Sequence, residues 1–153
     1  LVRGRNTMLG YWGKAGSDAK GLDADGWMHT GDVAVQDDEG FVTIIDRLHD
    51  MIVSGGFNVY PREVEDALSA HPAVLEAAVV GRTDPEWGER IHAVVVLRPG
   101  VVAPTVEDLA AHVAARTAPY KKPRSIDFVA ELPKNASGKV LRRALQKETP
   151  PVG

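Results

Sequence analysis

Residues 51–71 read MIVSGGFNVYPREVEDALSAH and decide the fold. Two short runs of β-forming residues flank Gly55 and Gly56, a pattern that predicts a tight two-residue hairpin. Pro61 suits the first position of a helix, and three apolar residues follow it at helical spacing: Val64, Ala67 and Leu68. The segment therefore predicts two paired strands followed directly by a short amphipathic helix.

Strands and helices continue to alternate after this segment. Strands are predicted at 74–81, 90–98 and 125–133, and helices at 105–117 and 138–147. The first two strands are separated by the breaker-rich loop RTDPEWGE, and the third alternates Ile126, Phe128 and Ala130 until Pro133 ends it. Thr105 with Asp108 three residues later predicts a helix start. The order ββαββαβα predicts an α+β fold with helices packed on a small mixed sheet.

The first part of the chain has a different character. Residues 9–27 are rich in glycine, and residues 27–46 alternate around the turn DDEG, which predicts a β-hairpin. The opening LVRGRNTML has no initiator methionine, so we expect the chain to be a fragment. We divide it into residues 1–45, an extension that belongs to another domain, and residues 46–153, the α+β domain.

Composition argues against several classes of partner. The 153 residues carry a net charge of −3, whereas nucleic acids favour concentrated positive charge. The chain has no cysteine for a thiolate metal site, and four histidines lack metal-ligand spacing: His29, His71, His92 and His112. Its apolar runs are too short to cross a bilayer. We expect a cytoplasmic protein with no metal site, no nucleic-acid partner and no membrane span.

Several residues near the hairpins could bind a ligand. The Asp32 carboxylate could accept hydrogen bonds from both hydroxyls of a ribose, or could simply be solvated at a turn. Arg47 could fork onto ribose or phosphate oxygens, or form a surface salt bridge with a nearby aspartate. Gly55 and Gly56 could leave room for a thin ligand, or could merely supply positive φ at a turn. Each residue alone therefore has two explanations.

Five stretches in a fixed order give a stronger indication. They are HTGD at 29–32, DRLHDMIVSGGFNVYPREVE at 46–65, DPEWGE at 84–89, YKKPR at 120–124 and LPKNASGKVLRRAL at 132–145. Together they resemble the C-terminal portion of the adenylate-forming enzymes, the superfamily of acyl-CoA synthetases, peptide-synthetase adenylation domains and firefly luciferase. The stretch GGFNVYPREVE is more similar to the CoA ligases than to the other two groups.

The resemblance implies an ATP-dependent acyl-CoA synthetase. In such enzymes a carboxylic acid and ATP form an acyl-adenylate, and the acyl group then passes to coenzyme A after the C-terminal domain rotates. Residues 1–45 would end the large N-terminal AMP-binding domain, and residues 46–153 would form the mobile C-terminal domain. The ligands of Mg²⁺ and the pocket for a fatty, aromatic or short-chain acid are expected in the missing N-terminal domain.

The resemblance also implies individual roles. Asp32 and Arg47 would bind the nucleotide, and Lys139 would bridge the carboxylate and the α-phosphate during adenylation, with Gly138 freeing its loop to swing. Gly55 and Gly56 would line the pantetheine tunnel. Four further residues would hold the nucleotide of CoA: Trp87, Lys121, Lys122 and Arg124. The alternatives are a core tryptophan and an ordinary solvated basic loop.

One position departs from the family pattern. His49 stands where the hinge residue is usually Asp or Lys, and a histidine titrates near neutral pH; a merely permissive hinge is the alternative. PKNASGK also resembles the loop that lysine acetyltransferases recognise in related synthetases. Two other functions stay open: a non-catalytic truncated module that acts by protein contacts, and a fragment of a peptide-synthetase adenylation domain.

Overall fold

The computed structural model describes residues 1–10 and 21–146. The chain forms two compact units, Leu1–His49 and Asp50–Gly153. This division lies a few residues beyond the predicted boundary at 45, and the assignment of each part to a domain of a larger enzyme stays a prediction. Part of the glycine-rich stretch, residues 11–20, and the end of the last predicted helix lie outside the described residues.

The first unit contains the predicted β-hairpin. Strands β1 (Asp32–Gln36) and β2 (Val42–Arg47) pair in antiparallel fashion. The Asp37 carboxylate accepts hydrogen bonds from the backbone amides of Glu39 and Phe41, at 3.0 and 2.8 Å, and so closes the turn. Asp32 and Arg47 are cross-strand partners at the open end of the hairpin. A 3-10 turn, Leu48–Asp50, follows β2.

The second unit is built on a mixed sheet of five strands. They are β3 (Ile52–Ser54), β4 (Phe57–Val59), β5 (Val74–Asp84), β6 (Gly88–Leu97) and β7 (Ser125–Phe128). Strand β6 pairs antiparallel with β5 along its whole length, antiparallel with β3 at one end, and parallel with β7. The path β4-β3-β6-β5 leaves β5 at an edge of the sheet.

Three helices complete the predicted order ββαββαβα, which is confirmed. They are α1 (Pro61–Ser69), α2 (Val106–Ala114) and α3 (Arg142–Gln146). The capping box of α2 is also confirmed, because the Thr105 hydroxyl accepts from the Asp108 amide and the Asp108 carboxylate accepts from the Thr105 amide. The α+β fold with a small mixed sheet is thus the fold that the sequence predicts.

The core lies on both faces of the sheet. In the larger cluster, apolar residues of the five strands pack against helices α1 and α2. Its members are Ile52, Val59, Val64, Ala67, Leu68, Val74, Val79, Ile91, Ala93, Val95, Leu109, Val113 and Ile126. The smaller cluster is Ala78, Val80, Val94, Val96, Leu132 and Leu145. Because neighbouring residues of a strand point to opposite faces, the segment that carries Leu132 and Leu145 packs on the face opposite α1 and α2. Lys139 lies within that segment.

Several boundaries differ from the sequence predictions. Strands β5 and β6 reach Asp84 and Gly88, so most of the predicted loop RTDPEWGE is paired. The Asp84 carboxylate closes the short turn by accepting from the amides of Glu86 and Trp87. Strand β7 ends at Phe128 rather than continuing to 133. The last helix begins at Arg142 rather than 138, because residues 133–141 form a turn in which the Leu141 amide donates to the Pro133 carbonyl.

A buried histidine lies at the centre of the sheet. The His92 side chain is fully buried on β6, with Nδ1 2.7 Å from the Ser125 hydroxyl and Nε2 3.2 Å from an Asp127 carboxylate oxygen. Burial, followed by the positive charge of Arg82, lowers the pKa of His92 to about 4. The imidazole is therefore neutral in the folded protein above that pH.

We expect this histidine to make the fold sensitive to acid. Between pH 6.5 and about 4 the unfolded chain binds a proton at residue 92 that the folded chain does not, so the free energy of unfolding falls as the pH falls. The full loss is about 3 kcal/mol. His92→Gln should remove this part of the pH dependence in urea unfolding between pH 7 and pH 4, whereas the control His29→Gln, at an exposed histidine, should keep it. Equal slopes for the wild type and His92→Gln would contradict the prediction.

Candidate functional site

The two predicted nucleotide residues of the first unit contact each other. Arg47 Nε lies 2.8 Å from Asp32 Oδ1, so the salt bridge considered for Arg47 is made with Asp32 itself. The pairing follows from the hairpin register, which places the two residues opposite each other. The arginine side chain is half exposed. The pair thus offers a carboxylate acceptor and guanidinium donors side by side, a set that can bind vicinal hydroxyls.

The turn before Asp32 is packed against His49. Gly31 has a φ of +72°, and a Cβ there would lie 3.2 Å from His49 Cε1. The Leu48 amide donates to the Gly31 carbonyl at 2.8 Å. The positive φ therefore favours glycine at 31, and a Cβ there would require the exposed His49 ring to shift slightly. The division of the chain into two units falls directly after His49, and the hinge role of this residue stays a prediction.

The two glycines between β3 and β4 have different surroundings. Gly55 and Gly56 have φ values of +58° and +82°, as a two-residue hairpin turn requires. A Cβ on Gly55 would lie only 2.6 Å from Trp87 Cε3, whereas a Cβ on Gly56 would meet nothing within 4 Å. The Gly55 amide also donates to the Trp87 carbonyl at 2.9 Å. The hairpin tip therefore lies directly against the indole.

The structure separates the residues predicted to hold the CoA nucleotide into different environments. The Arg124 guanidinium lies 3.6 Å from the centre of the Trp87 ring, a cation–π contact that covers the indole. Lys121 Nζ lies 2.6 Å from a Glu63 carboxylate oxygen, and its side chain is only 16% exposed. Lys122 is exposed. The basic loop is thus not uniformly solvated: Arg124 is stacked, Lys121 is paired and Lys122 faces solvent.

A stacked aromatic pair on this surface was missed by the sequence analysis. The rings of Phe57 and Tyr120 lie 4.5 Å apart, nearly parallel, and the two residues are 53% and 41% exposed. Large aromatic residues usually bury most of their surface, so this exposed pair beside the glycine turn is available for contact with a ligand. Their positions, directly after Gly-Gly and directly before Lys-Lys, are the pattern that could have revealed them.

Lys139 lies on a closed, hydrogen-bonded turn. The Asn135 side-chain oxygen accepts from the Ser137 amide, the Ser137 hydroxyl and the Lys139 amide, at 3.1, 2.8 and 2.9 Å. Leu141 donates its amide to the Pro133 carbonyl at the base of the turn. Gly138 has a φ of +80°. Gly138 therefore supplies the positive φ that this turn requires, and the expectation that it frees the loop to swing stays a prediction.

The Lys139 side chain borders an open cleft of about 290 Å³. Its lining residues are Asp50, Asn135, Lys139, Val140, Leu141, Arg142 and Arg143. Within the described part of the chain, no hydrogen-bond or ion-pair partner of the Lys139 ammonium is found. Arg142 is paired with Glu65 and lies 3.6 Å from Asp50, so Lys139 and Arg143 give the cleft its net positive charge, which favours an anionic ligand.

Among residues 1–10 and 21–146, no group of three or more histidine, cysteine, aspartate or glutamate side chains could hold a metal ion. No helix in the same ranges is long and apolar enough to span a membrane.

Comparisons with known proteins agree on one family. The model of the AMP-binding enzyme C-terminal domain matches residues 63–139, about half of the chain. A Rhodococcus jostii propanoyl:CoA ligase, whose acyl group carries a methyl-dioxo-octahydroindenyl ring system, is 53% identical over 97% of this chain. The long-chain-fatty-acid–CoA ligase of Bacillus subtilis is 49% identical over 97% of the chain. These matches cover 28% and 26% of the two proteins, so the chain spans about a quarter of their length.

Solved structures show the same relationship. The o-succinylbenzoate CoA synthetase of Bacillus subtilis, in complex with its acyl-adenylate intermediate, matches 96% of this chain and 30% of its own, with a TM-score of 0.85 and 39% identity. The ATP-bound MatB of Rhodopseudomonas palustris matches 90% of this chain and 27% of its own, with a TM-score of 0.81 and 35% identity. The resemblance drawn from the five sequence stretches is therefore confirmed, and the chain belongs to the AMP-binding enzyme C-terminal domain family.

Proposed function

We propose that this chain is the C-terminal part of an ATP-dependent acyl-CoA synthetase. The observation that carries the proposal is the position of Lys139, an exposed ammonium on a fixed turn at the edge of an open cationic cleft. A fixed backbone with an available charge suits a group that stabilises a transition state, because little reorganisation is then needed during the reaction. Membership of the family and the CoA-ligase relatives support the same conclusion.

Lys139 would act in the first of two steps. A carboxylate oxygen forms a bond to the α-phosphorus of ATP, the bond from that phosphorus to the bridging oxygen breaks, and pyrophosphate leaves. Two anionic groups must approach each other, and negative charge builds on the phosphoryl oxygens. An ammonium between the carboxylate and the phosphate lowers this barrier. Mg²⁺ would act in the same step, with ligands outside this chain.

Asp32 and Arg47 would hold the ribose in that step. Their ion pair aligns an acceptor and donors at the end of the hairpin, which is a good match for the two hydroxyls of a ribose. The Arg47 side chain is 50% exposed and the Asp32 side chain is 19% exposed, so a nucleotide would approach the pair mainly from the side of the guanidinium.

The surface around Gly55 would act in the second step. The CoA thiolate forms a bond to the acyl carbon, and AMP leaves with the former carboxylate oxygen. The hairpin of Gly55 and Gly56 would leave room for the thin pantetheine arm. Arg124 on Trp87, exposed Lys122 and the stacked Phe57–Tyr120 pair would contact the CoA nucleotide by charge and by stacking. Lys121, bound to Glu63, would hold this loop in place rather than touch the ligand.

The test is a two-step assay on the complete protein that contains this chain. With a panel of fatty, aromatic and short-chain acids, we expect at least one acid to drive ATP–pyrophosphate exchange and, with CoA, formation of a thioester and AMP. The 153-residue chain alone should catalyse neither step. Exchange by the chain alone would contradict the proposal that it is a part of the enzyme. Acid-dependent exchange without thioester formation would favour the peptide-synthetase type, and no exchange would favour a non-catalytic module.

A further inference from the structure

Arg142 makes several side-chain contacts near Lys139. It begins α3, three residues after the lysine. Its Nη1 and Nη2 donate to the two carboxylate oxygens of Glu65 at 2.5 and 3.0 Å, so the pair is bidentate. Only 24% of the arginine side chain and 16% of the glutamate side chain are exposed. A paired and largely buried guanidinium of this kind fixes geometry as well as contributing energy.

The same two side chains cap the edge of the sheet. Glu65 Oε1 accepts from the Val79 amide at 2.8 Å, and Arg142 Nη1 donates to the Val79 carbonyl at 2.8 Å. Both outward backbone groups of Val79 on edge strand β5 are therefore satisfied by side chains rather than by another strand. Through Arg142, the segment after Lys139 is therefore hydrogen-bonded both to Glu65 of α1 and to Val79 of β5.

A fourth contact reaches the start of the second unit. Arg142 Nε lies 3.6 Å from Asp50 Oδ2, and Asp50 is the first residue of that unit. Asp50 and Arg142 also both line the cleft that Lys139 borders. The guanidinium thus connects the residue directly after His49 with the segment that carries Lys139.

We propose that Arg142 is a positioning residue for Lys139. It holds the base of the lysine turn against α1, β5 and Asp50, so that Lys139 moves with the rest of the unit rather than on a loose loop. The proposal rests on the function proposed above for Lys139. Arginine suits this position because its three nitrogens reach both Glu65 oxygens, the Val79 carbonyl and Asp50, whereas a lysine has a single nitrogen and cannot form the bidentate pair.

Hydrogen exchange tests the structural half of this proposal without reference to activity. In the complete protein, Arg142→Lys should increase deuterium uptake in the peptide that covers residues 133–141, because the base of the turn loses its anchor. Arg143→Lys is the matched control, since Arg143 is the next residue on the same helix and is exposed. Equal uptake in the two variants would overturn the proposal.

Separate rates for the two half-reactions test the catalytic consequence of the positioning role. Arg142→Lys should lower kcat for acyl-adenylate formation about tenfold, since small misplacements of a reacting group are costly. The KM values for acid and ATP, and acyl transfer from presynthesised acyl-adenylate, should change little. Glu65→Gln should have the same selective effect, and the double variant should be no worse than either single one. Equal losses in both half-reactions, together with a lower Tm, would reduce Arg142 to a stabilising residue and overturn the proposal.

Lys139→Ala in the same assays distinguishes a failure of the adenylation role proposed for Lys139 from a failure of the positioning role proposed for Arg142. If Lys139→Ala slows adenylation but Arg142→Lys does not, the positioning role is wrong and the function of Lys139 stands. If Lys139→Ala leaves adenylation unchanged, the proposed function of the lysine is wrong, whatever Arg142 does to hydrogen exchange.

Discussion

Lys139→Ala in the complete protein is expected to slow acyl-adenylate formation by roughly 10²–10³-fold, the usual cost of losing one preorganised charge contact in a transition state. The turn around Lys139 is held by backbone groups and by Asn135, so removal of the side chain should leave the fold unchanged. Acyl transfer from presynthesised acyl-adenylate should survive, because the ammonium has no part in the second step of the proposed mechanism. Separate assays of the two half-reactions measure both effects.

Lys134→Ala is the matched control, on the same turn. Lys134 Nζ is bound to the Glu76 carboxylate at 2.7 to 2.8 Å, so its charge is already used within the unit. We expect near-normal rates for both half-reactions in this variant. Loss of both steps in Lys139→Ala, or equal loss in Lys134→Ala, would show that the role assigned to Lys139 is wrong.

Acetylation offers an independent version of the same experiment. Lys139 is exposed on the turn, and we propose it as the target of a lysine acetyltransferase. Acetylation removes the positive charge but keeps the length of the side chain. The acetylated enzyme should therefore reproduce the alanine phenotype, and deacetylation should restore the first step.

Local patterns were enough to predict the elements of this fold. Proline at 61, the capping box at Thr105 and the paired glycines at 55 and 56 each specify a backbone conformation through neighbouring residues alone. Strand ends were less predictable, because they depend on partners. Asp84 remains paired in β5 although it lies in a breaker-rich stretch, since β6 runs beside it down to Gly88.

The contacts that define the candidate site depend on residues far apart in the chain. Arg124 covers Trp87 across 37 positions, and Arg142 binds Glu65 across 77. Adjacent residues also diverge: Lys121 is bound to Glu63 while Lys122 is exposed. The two lysines cannot be told apart from the sequence, because their different environments arise only when the loop after α2 packs against α1. The sequence therefore identified the residue types of the site but not their partners.

The paired glycines provide a sharp test of the proposed CoA surface. Alanine is strained by positive φ at both Gly55 and Gly56, so the two substitutions share that cost. Only at Gly55 would the new Cβ lie 2.6 Å from the Trp87 ring, and ordinary contact begins near 3.4 Å. The hairpin tip and the indole must then move apart by about 0.8 Å, the difference between these distances. Because Arg124 stacks on this ring, a displaced indole also disturbs the basic loop that contains Lys121, Lys122 and Arg124.

Gly55→Ala in the complete protein is therefore expected to lower kcat/KM for CoA about 100-fold, the typical cost of a misplacement near 1 Å. Adenylation should keep its rate, because Lys139 lies on a separate turn. The free energy of unfolding should fall by about 1–3 kcal/mol more than in Gly56→Ala, as overpacking usually costs. Gly56→Ala controls for backbone strain, and CoA titrations of the transfer step measure the difference. If both variants bind and use CoA equally well, the contact between Gly55 and Trp87 supports the fold alone, and the CoA surface must lie elsewhere.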